Sequence, residues 1–185
     1  IHFERSYPPP ASLAQEAQKA NGIYNKEDVV KRLKDDFYDK CYICELKGLQ
    51  DPQVEHLLPH KGGQFPERKF DWDNLFWSCG HCNQVKNCTK YDDGIIDCCK
   101  VDPEQYLSIE LTGSTVSAKA LDASNVVAVR TAKLIEEVFN LTNTGMRTIV
   151  CEERLKGLQR EMTKLYTALE EYKKNPGRSM NWIRV

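Results

Sequence analysis

Residues 54–66 contain three side chains that can bind a metal ion or transfer a proton, and they lie just before a flexible turn. Glu55 and His56 are adjacent, His60 follows, and two glycines come next in the sequence VEHLLPHKGGQFP. A neutral imidazole can act as a general base because its ordinary pKa lies near physiological pH. On its own the stretch is compatible with a catalytic site, a metal site or a polar loop, and the flanking segments must decide between them.

Paired cysteines flank this stretch on both sides. Cys41 and Cys44 form one C-x-x-C pair, and Cys79 and Cys82 form the other. Four thiolates at these spacings are the ligand set of a closed tetrahedral zinc site, which stabilises a fold and has no open position for catalysis. We therefore predict a structural zinc ion at these four residues. A redox-active cysteine pair is the alternative, although such motifs normally occur singly.

The other cysteines have no such pairing. We expect Cys88, Cys98 and Cys99 to fill space as small apolar residues. His81 lies between the two cysteines of the second pair. Because four thiolates are already available there, we expect His81 at the protein surface and not on the metal.

Polar residues between and after the cysteine pairs define a candidate cleft. Asn74 precedes the second pair in DNLFWSC, and Asn83 and Lys86 follow that pair. A helix that starts after the second pair would place Asn83 and Lys86 on one face. Adjacent strand residues such as Glu55 and His56 point to opposite faces unless the strand ends or bulges there. The expected geometry is two strands and one helix around a cleft, tied at its base by zinc.

The segments CYIC, VEHLLPHKGG and DNLFWSCGHCNQVK together resemble the HNH endonuclease motif, over roughly residues 41–90. The resemblance implies an α+β fold built on a small ββα-metal core with the four-cysteine zinc site. The segments FERS, DFYDKCYICE, RKFDWDNLFWSC and YDDGIIDCCKVDPEQ further resemble the HNH nuclease subunit of Septu-type anti-phage defence systems, including those associated with retrons, over about residues 3–110. That resemblance implies an ABC-type ATPase as partner, and nucleotide binding would belong to it because this chain has no Walker A sequence.

The resemblance also implies a role for each polar residue of the motif. His56 would be the general base that activates water, and Glu55 and Asn83 would bind a catalytic divalent ion. Asn74 would help to hold the loop that bears the base. Oxygen ligands favour magnesium or manganese. Two positions depart from the common pattern, since Glu55 stands where many members have Asp and Asn83 stands where others have His.

Several basic residues near the motif are candidates for contacting a phosphate group. His60 and Lys86 are the first of these, although His60 could equally be an exposed loop histidine. Lys61, Arg68 and Lys69 would join Lys86 in a local positive patch. Solvated surface charge is the alternative interpretation of this patch.

Three regions must position these residues. Residues 1–24 include three consecutive prolines and predict an extended arm with one or two helical turns. Residues 25–100 predict a nuclease core that begins with a helix ending near residue 39 and continues through the two zinc knuckles. Residues 101–185 predict a β-hairpin about residues 112–114 followed by a helical C-terminal region.

The last predicted helix has an apolar repeat with alternating spacings of four and three residues, which is typical of a coiled-coil seam. We expect this seam to pack on the chain's own preceding helix, around residues 123–141. A homodimer or a partner interface is the alternative. The residues of the seam are Cys151, Leu155, Leu158, Met162, Leu165, Leu169 and Tyr172.

Composition limits the remaining function classes. The net charge is −1 and the sequence pI is about 6.5, so the chain lacks the strong positive charge of a general nucleic-acid binder, and any such contact must come from a local patch. No apolar run approaches the length of a membrane span, and the first residues resemble no signal peptide. We expect a cytoplasmic protein without membrane contact.

Together these observations predict a metal-dependent endonuclease that hydrolyses nucleic-acid phosphodiester bonds, with DNA favoured over RNA. The alternative is a non-catalytic zinc-stapled module that binds nucleic acid or protein. That alternative explains the cysteines but leaves Glu55, His56, Asn74 and Asn83 unexplained as a set. A redox-sensing zinc protein is a further alternative, and it would need exposed thiols of low pKa.

Overall fold

A computed structural model describes residues 1–87, 89–140 and 145–174, with the backbone alone for residues 145–147. These residues form a mixed α+β fold with two small antiparallel sheets and a long C-terminal helix, as the sequence predicts. The helices and strands in chain order are α1 (Ala11–Glu16), α2 (Glu27–Asp36), β1 (Pro52–His56), β2 (Leu75–Cys79), α3 (Gly80–Lys86), β3 (Leu107–Thr112), β4 (Thr115–Ala120), α4 (Val126–Asn140) and α5 (Gly145–Lys174).

Strands β1 and β2 and helix α3 form the unit that holds most of the candidate site. The two strands pair antiparallel, with Pro52 opposite Cys79 and His56 opposite Leu75. All five residues of β2 are buried, which suits its apolar sequence LFWSC. Helix α3 starts directly after Cys79, whose sulfur accepts a hydrogen bond from the Cys82 backbone and caps the helix. The four cysteines therefore lie at the Pro52 end of the strand pair, and His56 lies at the opposite end.

The N-terminal arm is packed into this unit. Phe3 and Leu13 are buried in the same hydrophobic cluster as the residues of β2. The Arg5 guanidinium donates hydrogen bonds to the backbone carbonyls of Trp72 and Leu75, and it lies 4.8 Å from the centre of the Phe76 ring. The arm contains one short helix, α1, and it shares one core with the segment that follows residue 24.

A β-hairpin and two helices form the rest of the described chain. Strands β3 and β4 pair from Leu107 opposite Ala120 to Thr112 opposite Thr115, which confirms the hairpin predicted about residues 112–114. Gly113 has a φ angle of +61°, a conformation that glycine adopts without strain and that a two-residue hairpin turn requires. Helix α4 packs on β4, and a second hydrophobic cluster forms between them.

Helix α5 is divided into two parts by its contacts. Cys151 is buried, and Leu155 and Leu158 pack against the second hydrophobic cluster, so the first part of the predicted seam lies within the chain. Leu165 and Leu169 are exposed further along the same seam. The expected packing on the preceding helix therefore holds for the first half of α5 and not for the second. No helix among the described residues is both long and apolar enough to cross a membrane.

Candidate functional site

The four predicted zinc ligands lie together. The sulfur atoms of Cys41, Cys44, Cys79 and Cys82 are all within 4.8 Å of one another, and Cys44 and Cys79 are 4.0 Å apart. A tetrahedron of sulfur atoms at about 2.3 Å from zinc would have edges of roughly 3.8 Å. The cluster is therefore close to the size of a zinc site, and its four thiol groups fit zinc chemically. When bound, zinc would link the loop at residues 41–44 to the junction of β2 and α3.

The environment of the cluster favours thiolate at one position above all. Hydrogen bonds from Cys41, Cys44 and Cys82 hold the pKa of the Cys79 thiol far below its usual range. The guanidinium of Arg154, on α5, also donates to the Cys79 sulfur at 2.7 Å. Positive charge beside a thiolate cluster stabilises its net negative charge. The C-terminal helix thus contributes directly to the surroundings of the cysteine cluster.

His56 is the last residue of β1 and lies at the other end of the strand pair. Its side chain is buried, and its ring contacts Tyr24 and His60, with ring centres 4.5 and 4.8 Å away. Its Nε2 atom lies 3.1 Å from the backbone carbonyl of Lys69. Because a carbonyl can only accept a hydrogen bond, Nε2 is the nitrogen that bears the proton. Nδ1 is then the atom that can accept a proton from water.

The electrostatics of this site keep His56 neutral. The pKa of the ring is lowered from 6.5 to about 4, mainly by burial. The hydrogen bond to the Lys69 carbonyl raises it, and the nearby His60, Lys86 and Lys69 contribute smaller decreases to the same net value. A neutral imidazole is the form that a general base needs. Yet a pKa of about 4 makes a weaker base than one near working pH. Any step that uncovers the ring would raise the pKa and strengthen the base.

Glu55 and Lys86 form a buried ion pair. The Lys86 ammonium donates to Glu55 Oε1 at 2.7 Å and to the backbone carbonyls of His56 and Leu57 at 3.0 Å each. The hydroxyl of Tyr42 donates to the other Glu55 oxygen. Burial raises the pKa of Glu55, and the attraction of Lys86 opposes that rise. In this arrangement Lys86 faces the interior, which differs from its expected place in a surface patch or on a phosphate group.

Asn83 lies on the same face of α3 as Lys86, as the sequence predicts, and both residues contact β1. Its side-chain amide donates to the Gln53 side chain at 2.6 Å. Glu55 and Asn83 thus have separate partners. Within residues 1–87, 89–140 and 145–174, the four cysteines are the group of His, Cys, Asp and Glu side chains gathered at metal-binding distance. The side chains of Glu55 and Asn83, as placed, do not fit a shared magnesium or manganese ion.

Asn74 holds the loop that follows β1. Its side-chain oxygen accepts a hydrogen bond from the Leu58 backbone at 2.8 Å, and its amide donates to the carbonyls of Leu58 and Arg68 at 2.9 and 3.0 Å. One buried side chain therefore fixes both ends of the loop. Since the Lys69 carbonyl that orients His56 comes next in the chain, Asn74 also fixes the position of that acceptor.

The remaining basic residues of the loop have contacts within the protein. Lys61 pairs with Asp92 at 2.8 Å, and the Arg68 guanidinium lies 4.0 Å from the centre of the Phe65 ring. The Lys69 ammonium donates to the carbonyl of Gly22 at 2.7 Å. These cations do not converge on one point.

His60 differs from these cations because its Nδ1 atom is buried without a hydrogen-bond partner. A cavity of about 650 Å³ adjoins His60 and is also lined by Gly62, Gly63 and Lys69. Of the polar groups in this loop, His60 therefore has the atom with most to gain from a ligand, since an unpaired buried polar atom is costly.

Two expectations about single residues have clear outcomes. His81 is buried, and its Nε2 donates to the carbonyl of Val138 at 2.9 Å, so the predicted surface position is wrong. The docking of α4 against α3 is the reason. Cys98 is buried in the first hydrophobic cluster, and Cys99 packs beside it, as expected of small apolar residues. Cys88 lies outside the described residues.

Sequence reasoning missed three residues that shape the site. Tyr42 lies inside the first C-x-x-C pair, Tyr24 comes from the N-terminal arm, and Arg154 comes from α5. Each contacts a site residue that is distant in the sequence: Tyr42 contacts Glu55, Tyr24 contacts His56, and Arg154 contacts Cys79. Only the position of Tyr42 between two predicted zinc ligands gave any signal in the sequence.

Two comparisons with known proteins were negative. No known family profile matches it, and no curated protein matches it.

Proposed function

We propose that this protein is an HNH-type endonuclease that hydrolyses phosphodiester bonds in nucleic acid, with DNA favoured over RNA. The proposal includes a ββα-metal core formed by β1, β2 and α3. The main support is His56, a neutral histidine with Nε2 fixed by a carbonyl and Nδ1 left to accept a proton. It stands at the end of a strand whose partner strand leads into the predicted zinc knuckle.

In the proposed reaction, His56 removes a proton from water as the water oxygen attacks phosphorus. The P–O bond to the leaving sugar oxygen breaks, and that oxygen takes a proton from solvent. Nδ1 takes the proton, and Nε2 keeps its hydrogen bond to the Lys69 carbonyl throughout. The imidazolium that forms is stabilised by the negative charge of the phosphate group. Asn74 contributes as a positioning residue, because it fixes the loop that supplies this carbonyl.

The two predicted metal sites differ in how well the residues fit the ion. The four cysteines fit zinc, which would act as a structural link and take no part in hydrolysis. The predicted magnesium or manganese site at Glu55 and Asn83 does not fit the contacts of those side chains, because Tyr42 and Lys86 engage Glu55 and Gln53 engages Asn83. We therefore assign no step of the reaction to a divalent ion at these residues.

Access to His56 requires movement of the groups that cover it. The ring of Tyr24 lies across one side of His56, and His60 lies beside it. Displacing either ring would expose more of the His56 ring and raise its pKa, since burial is the main cause of its low value. An incoming phosphate anion would also raise the pKa of His56.

Plasmid and transfer-RNA cleavage by the purified chain tests the proposal. Supercoiled plasmid and total tRNA are incubated with magnesium, with manganese and with neither ion, and the wild type is compared with His56→Ala. We expect cleavage to fall about 10² to 10⁴-fold in the variant, the usual effect of losing a general base. His2→Ala is the matched control, because His2 is exposed and lies outside the site. Equal cleavage by His56→Ala and wild type would contradict the proposal.

A non-catalytic binding module is the second candidate, and one observation favours it. Glu55 is fully engaged in its ion pair and His56 is covered, so the site as described is closed. Nucleic-acid binding without cleavage, in the presence of the proposed ATPase partner and every tested ion, would favour this candidate over the nuclease.

We further propose that an ABC-type ATPase is the partner of this chain in an anti-phage defence complex, as the resemblance to the Septu nuclease subunit implies. The second half of α5 is the surface that supports this proposal. Leu165 and Leu169 are exposed there, although they continue a seam whose first half packs within the chain.

A further inference from the structure

A basic groove lies between the first cysteine pair and α5, outside the site described above. Its volume is about 660 Å³. The chain as a whole has a net charge of −1, so a concentration of positive charge is a local feature of this surface. The cations that line the groove are Lys40, Lys47, Arg154, Arg160 and Lys164.

Two carboxylates also line the groove, and they compensate only part of this charge. Glu161 pairs with Lys164, three residues further along the same helix, at 2.6 Å. Glu45 is exposed at the rim. Arg154 points to the Cys79 sulfur and belongs with the cysteine cluster.

Three cations of the groove remain available to a ligand. Among the described residues, Lys40 and Lys47 have no ion pair, and Arg160 acts on Glu153 only beyond ion-pair distance. Lys40 and Lys47 are held opposite each other by an isolated antiparallel bridge that closes the loop bearing Cys41 and Cys44. Arg160 projects from the facing helix. The two walls thus hold their charges on ordered backbone, which reduces the entropy lost on binding an anion.

We propose that this groove binds the phosphate backbone of duplex DNA, as a second contact surface beyond the candidate catalytic site. Lysine and arginine side chains are the usual protein contacts to phosphate groups, and they fix position without reading sequence. The aromatic residue of the groove, Phe139, packs against both hydrophobic clusters. A ring held in this way offers no platform for stacking bases, which favours a duplex over a single strand. The choice of DNA rests on the proposed function.

The test compares two double variants that remove the same charge. Lys47→Gln with Arg160→Gln alters the groove, and Lys119→Gln with Lys133→Gln is the control, because both control lysines are exposed and neither lines the groove. Every protein also carries His56→Ala, so that binding is measured without cleavage. Affinity for a short fluorescent DNA duplex is measured by anisotropy between about 50 and about 200 mM salt. Circular dichroism and zinc content verify that each variant is folded.

The groove variant should lose affinity and salt dependence together. Each phosphate contact contributes about 0.9 to the slope of log affinity against log salt, so the loss of two contacts should reduce the slope by roughly two. Affinity at about 0.1 M salt should fall by roughly tenfold or more. The control variant should keep both the affinity and the slope of the parent protein.

Three results would overturn the assignment. Equal losses in the groove and control variants would mean that total charge matters and the groove does not. If the parent protein, which carries only His56→Ala, did not bind the duplex at low salt, duplex DNA would not be the ligand of the groove. Tighter binding of a single strand or of RNA would overturn the choice of duplex DNA. The nuclease proposal is tested separately, because binding through the groove without cleavage by the His56-containing chain would contradict the nuclease alone.

Discussion

The two ends of the β1–β2 strand pair satisfy their negatively charged groups in different ways. At the Pro52 end, four cysteine sulfur atoms lie within 4.8 Å of one another, with Arg154 at the edge of the cluster. At the His56 end, Glu55 and two backbone carbonyls converge on the ammonium group of Lys86. The sulfur atoms at the first end are spaced to fit a metal ion taken from solution, whereas the second end has a cation supplied by the sequence itself.

Because of this difference, only the cysteine end would need a metal ion to balance its negative charge. Four thiolates placed this close would repel one another without a cation, so a zinc ion bound here would couple folding at the cysteine end to metal binding. The Glu55–Lys86 pair is neutral as it stands and needs no ion. One ββα unit can therefore depend on zinc at one end while its candidate catalytic end stays folded by its own side chains.

Removal of one thiolate should have the largest effect. Cys79→Ser should abolish stoichiometric zinc binding and unfold the segment around both cysteine pairs, because structural zinc contributes on the order of 10 kcal/mol to folding. Zinc content by elemental analysis and secondary structure by circular dichroism are the measurements. Cys99→Ser is the matched control, since Cys99 lies outside the cluster. A folded Cys79→Ser protein without zinc would contradict the structural role.

Loss of the buried cation should have the next largest effect, at the opposite end. Lys86→Met leaves the Glu55 carboxylate buried without its partner, which should lower the free energy of unfolding by about 3 to 5 kcal/mol. Denaturant titration measures this change, and zinc content should remain that of wild type. The double variant Glu55→Gln with Lys86→Met should recover much of the loss, because no unpaired charge remains.

The Lys86→Met variant could also contradict this contrast between the two ends. A loss below about 1 kcal/mol would be typical of an exposed ion pair. Glu55 would then be available in solution, and its predicted role as a ligand for magnesium or manganese would regain support. Stabilisation of Lys86→Met by magnesium, without stabilisation of wild type, would lead to the same conclusion.

The sequence was most informative where short-range spacing decides the structure. The two C-x-x-C pairs predicted the cysteine cluster, because each pair places two sulfur atoms on one turn of backbone. The hairpin about residues 112–114 followed from Gly113 between two strand-like segments. The order of β1, β2 and α3 followed from the alternation of apolar runs and turn residues. In each case the deciding residues are neighbours in the chain.

Contacts between distant elements could not be predicted in this way. Lys86 and Glu55 are 31 residues apart, and each was assigned a separate functional role when considered alone. His81 was expected at the surface because four cysteines complete the predicted zinc site without it, and nothing in its own segment indicates that α4 covers it. Phe3 likewise enters the core only because the arm folds back onto β2. Residue type and spacing gave the chemistry that each side chain can do, and the packing decides which partner it meets.

Acid should destabilise the His56 end in a defined range. The pKa of His56 is about 4 in the fold against 6.5 ordinarily, so the unfolded chain binds more protons between these values. Stability should therefore fall by up to about 3 kcal/mol as the pH drops from about 6.5 to about 4. Acid also releases zinc from the cysteines. The difference between wild type and His56→Asn, measured by denaturant titration at each pH, isolates the histidine contribution, and identical pH profiles would contradict it.

The smallest effect on stability should come from the exposed half of α5, where neither end of the strand pair makes contact. Leu165→Asp with Leu169→Asp should change the free energy of unfolding by no more than about 0.5 kcal/mol per site, because both side chains are exposed. Leu155→Asp is the matched control, and it should cost several times more, since Leu155 packs against the second hydrophobic cluster. If this half of α5 binds the proposed ATPase, the double variant should also lose copurification with that subunit while keeping its zinc. Retained copurification would contradict the proposed contact, and a large loss of stability would mean that the exposed seam is already covered in solution.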